Sequence, residues 1–532
     1  MPADAPAAAS GKEQFSLSST PDCKAWIAQL PAGNPGLRHA QLVTYVQGLP
    51  SAAIAPAAKL EALELLRGPV AEAQAALVKE CRGRPLPLAA ADNEAWQSVV
   101  ALWRAMAAGY DALIDAMANS APELAGNAPL ICQRALRYTA DAMFEYCHIY
   151  HAVSGDLWQQ LHRLYVFSEN AGFASTAVND AVGRRTPGTS CVASYLHAVL
   201  VQLAQPDALS GAQLDAVDRW LERWESLVTL APEPLPQSAI PALAVDLTSK
   251  KGAGLARQMP AAGVRHLNLE PLSKVLRQVA AALKQQTPEQ LGLGPYPREM
   301  CERLLLSLHI QWCAAGTGRA DERTPASIKV SISPNLASMH YHLTGKTFRQ
   351  PKAELTAAER RRLDMLGSVS ESDEKALASQ SSRALETWVI VNQSVSGFLG
   401  TARERELSNR VSHHQLVALQ PPAKKVMYLG IVQRLNVDEA GTMWIGLRII
   451  LGAPQAASVR PLEPAGAKYE RALLMPEDAA RKIPASIMLV PGWFQPGRAL
   501  TLLVDQEKER RIKLQSLLDK GENFERATYG AG

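Results

Sequence analysis

From about residue 37 to residue 300, apolar side chains recur at the spacing of α-helices. In one segment they return every three or four positions, at Trp96, Val99, Trp103, Ala107, Tyr110 and Ile114. This spacing places them on one helix face, behind an N-cap at Asp92 or Asn93. Similar stripes occur in 131–150, 156–172, 194–205 and 212–228. The pattern predicts a large helical N-terminal domain, within which 242–247 and 264–269 form a small strand pair.

The hydrophobic period changes near residue 314. A predicted helix over 299–315 ends at Gly-Thr-Gly, and apolar residues then alternate with polar ones. Ile328, Val330 and Ile332 would share one face of a strand. The alternation resumes in 337–343, after Pro334 and Asn335, which predicts a β-hairpin.

More strand signals follow, separated by Gly, Pro, Asn and Asp. They lie at 387–392, 415–420, 426–435 and 442–451. Five or six short strands joined by such turns predict a small antiparallel barrel. Later strand signals at 486–492, 499–504 and 511–518 predict a second β unit packed against it. The predicted fold class is therefore multidomain α+β.

The predicted domain organisation has four parts. An Ala-, Pro- and Ser-rich leader, expected to be disordered, covers 1–20, and the helical domain covers 21–314. The barrel covers 315–455 and is interrupted at 346–384 by an inserted helix and a charged, Ser-rich loop. A C-terminal β extension covers 456–532.

Composition excludes several classes of protein. The net charge is +4, from 55 basic and 51 acidic residues, so no strong excess favours a nucleic-acid or membrane surface. Seven cysteines without CxxC spacing indicate reduced thiols rather than a disulfide framework. No apolar run of about 18 residues is present, as membrane insertion would require. We therefore expect a cytoplasmic protein that does not bind nucleic acid and does not insert into a membrane.

Two short motifs carry candidate binding chemistry. Arg319 and Arg323 lie four apart just before the first barrel strand, and Asn392, Ser394 and Gly397 form N-x-S-x-x-G after a later strand. Arginine offers a bidentate fork for phosphate or guanine and a flat face for stacking. Asn and Ser bond locally, and Gly allows a sharp turn or close approach. Together the motifs predict a pocket for a flat anionic ligand, against the simpler alternatives of a solvated linker and an ordinary turn.

These motifs, with the downstream "YLGIVQRLNVDEAGTMWIGLRII", resemble the PilZ-domain family of bacterial cyclic di-GMP receptors over about 315–455. The resemblance implies that Arg319 and Arg323 hold the phosphates and stack on guanine. It implies that the Asn-Ser-Gly motif reads the other guanine edge. No other cofactor is expected.

The insertion at 346–384 separates the motifs by more than the family leads one to expect. It brings other arginines nearer to the second motif, although none forms R-x-x-x-R: Arg360, Arg361, Arg362 and Arg383. Arg434 and Arg448 could add to the pocket wall, but exposed arginines are common on barrel strands.

Metal binding and catalysis find little support in the sequence. His340 and His342 would share a strand face, and His413 and His414 are adjacent, yet no cysteine or carboxylate lies at ligand spacing with them. We expect no metal. No nucleophile with an oriented base is recognisable, so we expect a protein that is not an enzyme.

The resemblance implies a second-messenger effector. Its helical domain would relay cyclic di-GMP binding to a protein partner, in the control of motility, attachment or biofilm formation. Closure of the two arginines over the ligand would fix the angle between helical domain and barrel. The alternative is a ligand-independent scaffold with a degenerate barrel, and no residue supports a hydrolase in the helical half.

Overall fold

The computed structural model confirms the multidomain α+β class: a helical N-terminal domain precedes two closed antiparallel barrels. The residues that it describes are 20–182, 188–234, 242–260, 262–314, 323–346, 348, 350, 385–422, 426–462, 467–504 and 508–532. The predicted leader lies outside them apart from Thr20. Nearly all of the 346–384 insertion also lies outside them, including Arg360, Arg361, Arg362 and Arg383.

The helical domain uses ten α-helices and six short strands in the described residues. The helices are α1 (Thr20–Ala28), α2 (Pro35–Gly48), α3 (Pro56–Cys81), α4 (Ala90–Asn119), α5 (Ala128–His148), α6 (Gly155–Asn170), α7 (Cys191–Leu203), α8 (Gly211–Trp224), α9 (Glu270–Ala282) and α10 (Arg298–Cys313). The strands are β1 (Val178–Asn179), β2 (Gly188–Thr189), β3 (Thr229–Ala231), β4 (Leu243–Asp246), β5 (Gly254–Leu255) and β6 (Val264–Asn268).

Local sequence signals explain several of these boundaries. Ser210 caps α8 in a capping box with Gln213, which satisfies two backbone N–H groups that have no helical partner. Gly172 follows α6 at φ +76°, as expected for a residue that ends a helix. The N-cap predicted at Asp92 or Asn93 is wrong, because α4 already begins at Ala90. The predicted strand pair is confirmed, since β4 pairs with β6.

The first barrel contains β7 to β12 and closes in the order β10-β11-β12-β9-β8-β7. Its strands are β7 (Thr324–Ser333), β8 (Glu386–Gln393), β9 (Gly397–Arg403), β10 (Leu416–Gln420), β11 (Tyr428–Val437) and β12 (Thr442–Ile450). Val330 and Ile332 point into its core as the alternation predicted, together with Trp388 and Ile445.

The second barrel closes in the order β13-β14-β15-β18-β17-β16. Its strands are β13 (Gln455–Pro461), β14 (Glu470–Met475), β15 (Ser486–Leu489), β16 (Ala499–Val504), β17 (Lys508–Lys520) and β18 (Glu525–Ala531). It has an apolar core of its own, which includes Ile487, Leu502 and Leu514. The expected C-terminal β unit is therefore a complete barrel.

The predicted hairpin after Pro334 is wrong, because helix α11 (Leu336–Thr344) replaces its second strand. Asn335 caps this helix, accepting a hydrogen bond from the Ser338 amide at 2.8 Å. Leu336 and Met339 are buried between the barrels, where α11 packs. His340 and His342 therefore share no strand face.

The helical domain contacts the first barrel through its backbone. Leu86 and Val411 exchange two N–H···O bonds of 2.9 and 2.7 Å. The Val437 amide donates to the Tyr150 carbonyl at 2.8 Å, and the Ala152 amide donates to the Val437 carbonyl at 2.8 Å. Leu86 and Tyr150 also belong to the apolar core of the first barrel. Part of that core is thus supplied by the helical domain.

Candidate functional site

The hairpin that joins β8 to β9 carries three of the five predicted site residues: Asn392, Ser394 and Gly397. Across the neighbouring strands, Thr324 pairs with Gln393, and Pro325 pairs with Asn392. Arg323 directly precedes Thr324, so its backbone lies beside the residues that follow Gln393. The structure therefore brings Arg323 to the same end of the barrel as the N-x-S-x-x-G motif. Arg319 lies outside the described residues.

The motif forms a tight, backbone-bonded turn. The Ser394 amide donates to the Gly397 carbonyl at 2.8 Å, and the Ser394 hydroxyl donates to the same oxygen at 3.4 Å. Val395 stands at the tip with 85% of its surface exposed. An apolar side chain so exposed adds little to the core, so the bonds from Ser394 to the Gly397 carbonyl hold the shape of the turn.

Gly397 is required by the close approach of a neighbouring strand. A Cβ at this position would lie 2.5 Å from the Leu447 carbonyl oxygen, a distance that real Cβ atoms do not show. Because the obstacle is backbone, any side chain would displace β9 from β12. The glycine thus fixes where the turn sits on the barrel.

Irregular pairing surrounds Asn392. The register shifts between Pro325 and Ile328 on one side and between Ile390 and Asn392 on the other. Such bulges redirect side chains, and proline fits there because it has no N–H to donate. Ile390 packs in the core, whereas Asn392 pairs with Leu399, which alternates with core-facing neighbours. Asn392 therefore belongs to the outer face of the barrel.

A continuous row of paired residues crosses this outer face. It runs over five strands through Pro325, Asn392, Leu399, Gly446 and Arg434. Gly446 leaves room for the arginine stem, because a Cβ there would lie 3.0 Å from the Arg434 Cβ. Arg434, which the sequence suggested only as a minor part of a pocket wall, therefore ends the row that begins beside Arg323.

Arg434 also connects this row to the helical domain. Its Nη2 donates to Gln205 Oε1, and Gln205 Nε2 donates in turn to Gln311 Oε1 on α10. Gln205 adopts φ +58°, a left-handed conformation that costs energy in a residue with a side chain. Sequence reasoning missed Gln205, since its partners lie more than 100 positions away.

An open groove lies further along the outer face of β8 and β9. Its lining includes Thr387, Val389, Thr401 and Thr442. Val389 and Thr401 form the next outward pair beyond Asn392 and Leu399. The groove lining includes none of the four predicted site residues that the structure describes, so the candidate site is a surface site beyond the groove end.

Two of the four histidines considered as metal ligands, His340 and His413, are buried. Burial is the larger cause, and the charge of Arg471 the smaller, that lowers the pKa of His340 to about 4. For His413, burial is again the larger cause and the charge of His414 the smaller, and its pKa is also lowered to about 4. Within the described ranges, no group of three or more His, Cys, Asp or Glu could hold a metal ion. All seven cysteines are free and buried.

No helix among the described residues combines the length and apolarity needed to cross a bilayer.

Comparisons with known proteins identify relatives of both ends of the chain. Residues 21–237 match the family described as "Cyclic-di-GMP receptor FimW, N-terminal domain", and residues 457–531 match "FimW C-terminal beta-barrel domain". The cyclic-di-GMP receptor FimW of Pseudomonas aeruginosa is 23% identical over 540 residues, covering 94% of this chain and 88% of the relative. The first barrel lies between the two matched regions. At its helical domain and at its second barrel, the chain thus matches the FimW cyclic-di-GMP receptor family.

Proposed function

We propose that this chain is a cyclic di-GMP receptor whose ligand binds where Arg323 adjoins the 392–397 turn. The observation that carries the proposal is the pairing of Thr324 with Gln393, since Arg323 directly precedes Thr324 and so adjoins the turn. The receptor role of the FimW relative supports the choice of ligand. The proposal includes a PilZ-like identity for the first barrel and a cytoplasmic, non-enzymatic role.

Each site residue has a distinct proposed role. Arg319 and Arg323 hold the phosphates and stack on guanine, since a guanidinium supplies both a fork and a flat face. Asn392 and Ser394 bond the other guanine edge. Gly397 keeps the turn close to β12, where a side chain would meet the Leu447 carbonyl. Binding needs no other cofactor.

Helix α10 of the helical domain is linked to two parts of this site, Arg323 and Arg434. The C-terminal end of α10 leads through 315–322 to Arg323, and Gln311 on α10 is bonded to Gln205. Gln205 holds Arg434 in the row that contains Asn392. Ligand binding would therefore favour one position of α10 over another. The free energy of this shift can be no larger than the difference in ligand-binding free energy between the two arrangements. A protein partner that controls motility, attachment or biofilm formation would read this change on the helical domain.

Calorimetric titration of the full chain with cyclic di-GMP tests the site. Arg323→Ala and Arg319→Ala should each weaken binding by roughly ten- to 150-fold, because each loses a charge-assisted contact worth ~1.5–3 kcal/mol. Arg481→Ala is the matched control, since it removes an exposed arginine of the second barrel. It should bind like the parent.

The outcomes distinguish a misplaced binding site from a wrong function. Parent-like binding by both site variants would mean that the ligand binds elsewhere on a genuine receptor. No saturable binding by the parent would leave the scaffold alternative, in which both barrels and the helical domain serve only as protein-binding surfaces.

A further inference from the structure

An ion pair between the two barrels lies next to the candidate turn. Arg448 on β12 pairs across the sheet with Gly397, the last residue of the motif. Its Nη2 donates to Asp519 Oδ1 on β17 of the second barrel at 2.5 Å. The Arg448 side chain is 42% exposed, so a ligand in solution can reach it. The pair therefore links the turn to a domain that supplies none of the predicted site residues.

An arginine lies on each side of the turn. The neighbouring strands run in the order β7, β8, β9, β12, so Arg323 precedes the first and Arg448 lies on the last. Leu447 packs in the core, which directs Arg448 to the outer face with Asn392. Three strand spacings, roughly 14 Å, separate the two outer backbones. Two long arginine side chains can span this distance around one bound dinucleotide.

Two arginines share the Asp519 carboxylate. Its other carboxylate oxygen lies 3.4 Å from Arg526 Nη1, so one carboxylate serves two guanidinium groups. Burial, with the charges of Arg303 and Arg448, lowers the pKa of His414 nearby. A ligand phosphate would give Arg448 an anionic partner that it need not share with Arg526.

Resting on the proposed function, we propose that Arg448 is a further cyclic di-GMP-binding residue and that Asp519 competes with the ligand for it. A phosphate of the ligand takes Arg448 from Asp519, and the contact between the barrels loses this ion pair. The exchange replaces one charge-assisted bond by another. Asp519 keeps Arg526, so its charge is not left unpaired when Arg448 leaves. Through this exchange the second barrel sets the ligand affinity of the first.

Titration of the full chain with cyclic di-GMP tests this competition. Arg448→Met keeps the side-chain stem, removes the fork and should weaken binding about tenfold or more. Asp519→Asn removes the competitor and should tighten binding by roughly two- to tenfold. In the Arg448→Met background, Asp519→Asn should have no effect, because the residue for which it competes is gone.

A matched control separates competition from a general change in charge. Asp478→Asn removes the same charge from the same barrel, where the Asp478 carboxylate is bonded within its own loop to Arg481 at 2.7 Å. It should bind like the parent. Thermal unfolding of each variant checks that the second barrel still folds, since Asp519 also contacts Arg526.

Hydrogen exchange of the parent tests the same exchange without any substitution. Ligand should speed amide exchange at the Asp519 end of β17, because the ion pair is released. Weaker binding by Arg323→Ala, with parent-like binding by Arg448→Met and Asp519→Asn, would overturn the inference and leave the proposed function intact. Absence of binding by the parent would instead refute the proposed function.

Discussion

At the scale of single residues, the candidate turn depends on a backbone approach. We predict that Gly397→Ala lowers the free energy of unfolding by about 1–3 kcal/mol, because its Cβ would overlap the Leu447 carbonyl. The displaced turn should also bind cyclic di-GMP more weakly. Denaturant unfolding and calorimetry measure the two effects. Gly48→Ala is the control, since nothing lies within 4 Å of its added Cβ, and equal behaviour of the two variants would refute the explanation.

A second residue-scale feature is a histidine clamped by two carboxylates in the helical domain. His197 Nδ1 donates to Glu225 at 2.8 Å, and Nε2 donates to Asp218 at 2.9 Å. Burial disfavours the charge, but the hydrogen bonds to Asp218 and Glu225 outweigh it and raise the pKa of His197 to about 9. The imidazole is therefore protonated at neutral pH.

This clamp predicts a pH-dependent stability. Because the folded pKa lies above the unfolded value, the contribution is complete below about pH 6.5 and is lost as pH rises through about 9. The difference in unfolding free energy between the parent and His197→Gln should therefore shrink over that range. Denaturant melts at a series of pH values measure it. A constant difference would contradict the protonated clamp.

The residue types of the turn were predictable from the sequence, whereas the tertiary contacts of its residues were not. The polar and glycine residues of 392–397 predicted a turn, and the structure has one. The reason for Gly397 lies at Leu447, and the partner of Arg448 is Asp519, both far along the chain. Such contacts depend on barrel closure, which no local pattern encodes.

At the scale of elements, α11 shows how an alternating pattern can mislead. Apolar residues at every second position in 337–343 predicted a strand, yet the Asn335 cap starts a helix there. Burial of Leu336 and Met339 between the barrels favours the helix. A short segment fits either period, so its tertiary neighbours decide the structure.

The joint between helical domain and first barrel makes an element-scale prediction. Leu86 is fully buried and packs in the barrel core, so Leu86→Ala should lower the unfolding free energy by about 2–5 kcal/mol. Leu306→Ala, at a site 63% exposed on α10, should change it by less than about 0.5 kcal/mol. Denaturant melts compare the two variants. Equal losses would show that the joint does not depend on this contact.

At the scale of the whole molecule, the sequence predicted the kinds of domain but not how they meet. The change of period near residue 314 separated helices from strands, and turn residues marked the barrels. The contribution of Leu86 and Tyr150 to a barrel core depends on docking, which composition does not reveal. Arg319 and the 346–384 insertion remain predictions.

The central claim is that two segments distant in sequence form one ligand site. Hydrogen–deuterium exchange of the full chain, with and without cyclic di-GMP, tests it most directly. The account predicts slower exchange at the start of β7 and in 392–397 together, with no change in β15 of the second barrel. Protection of only one of these two segments, or protection confined to the helical domain, would contradict it.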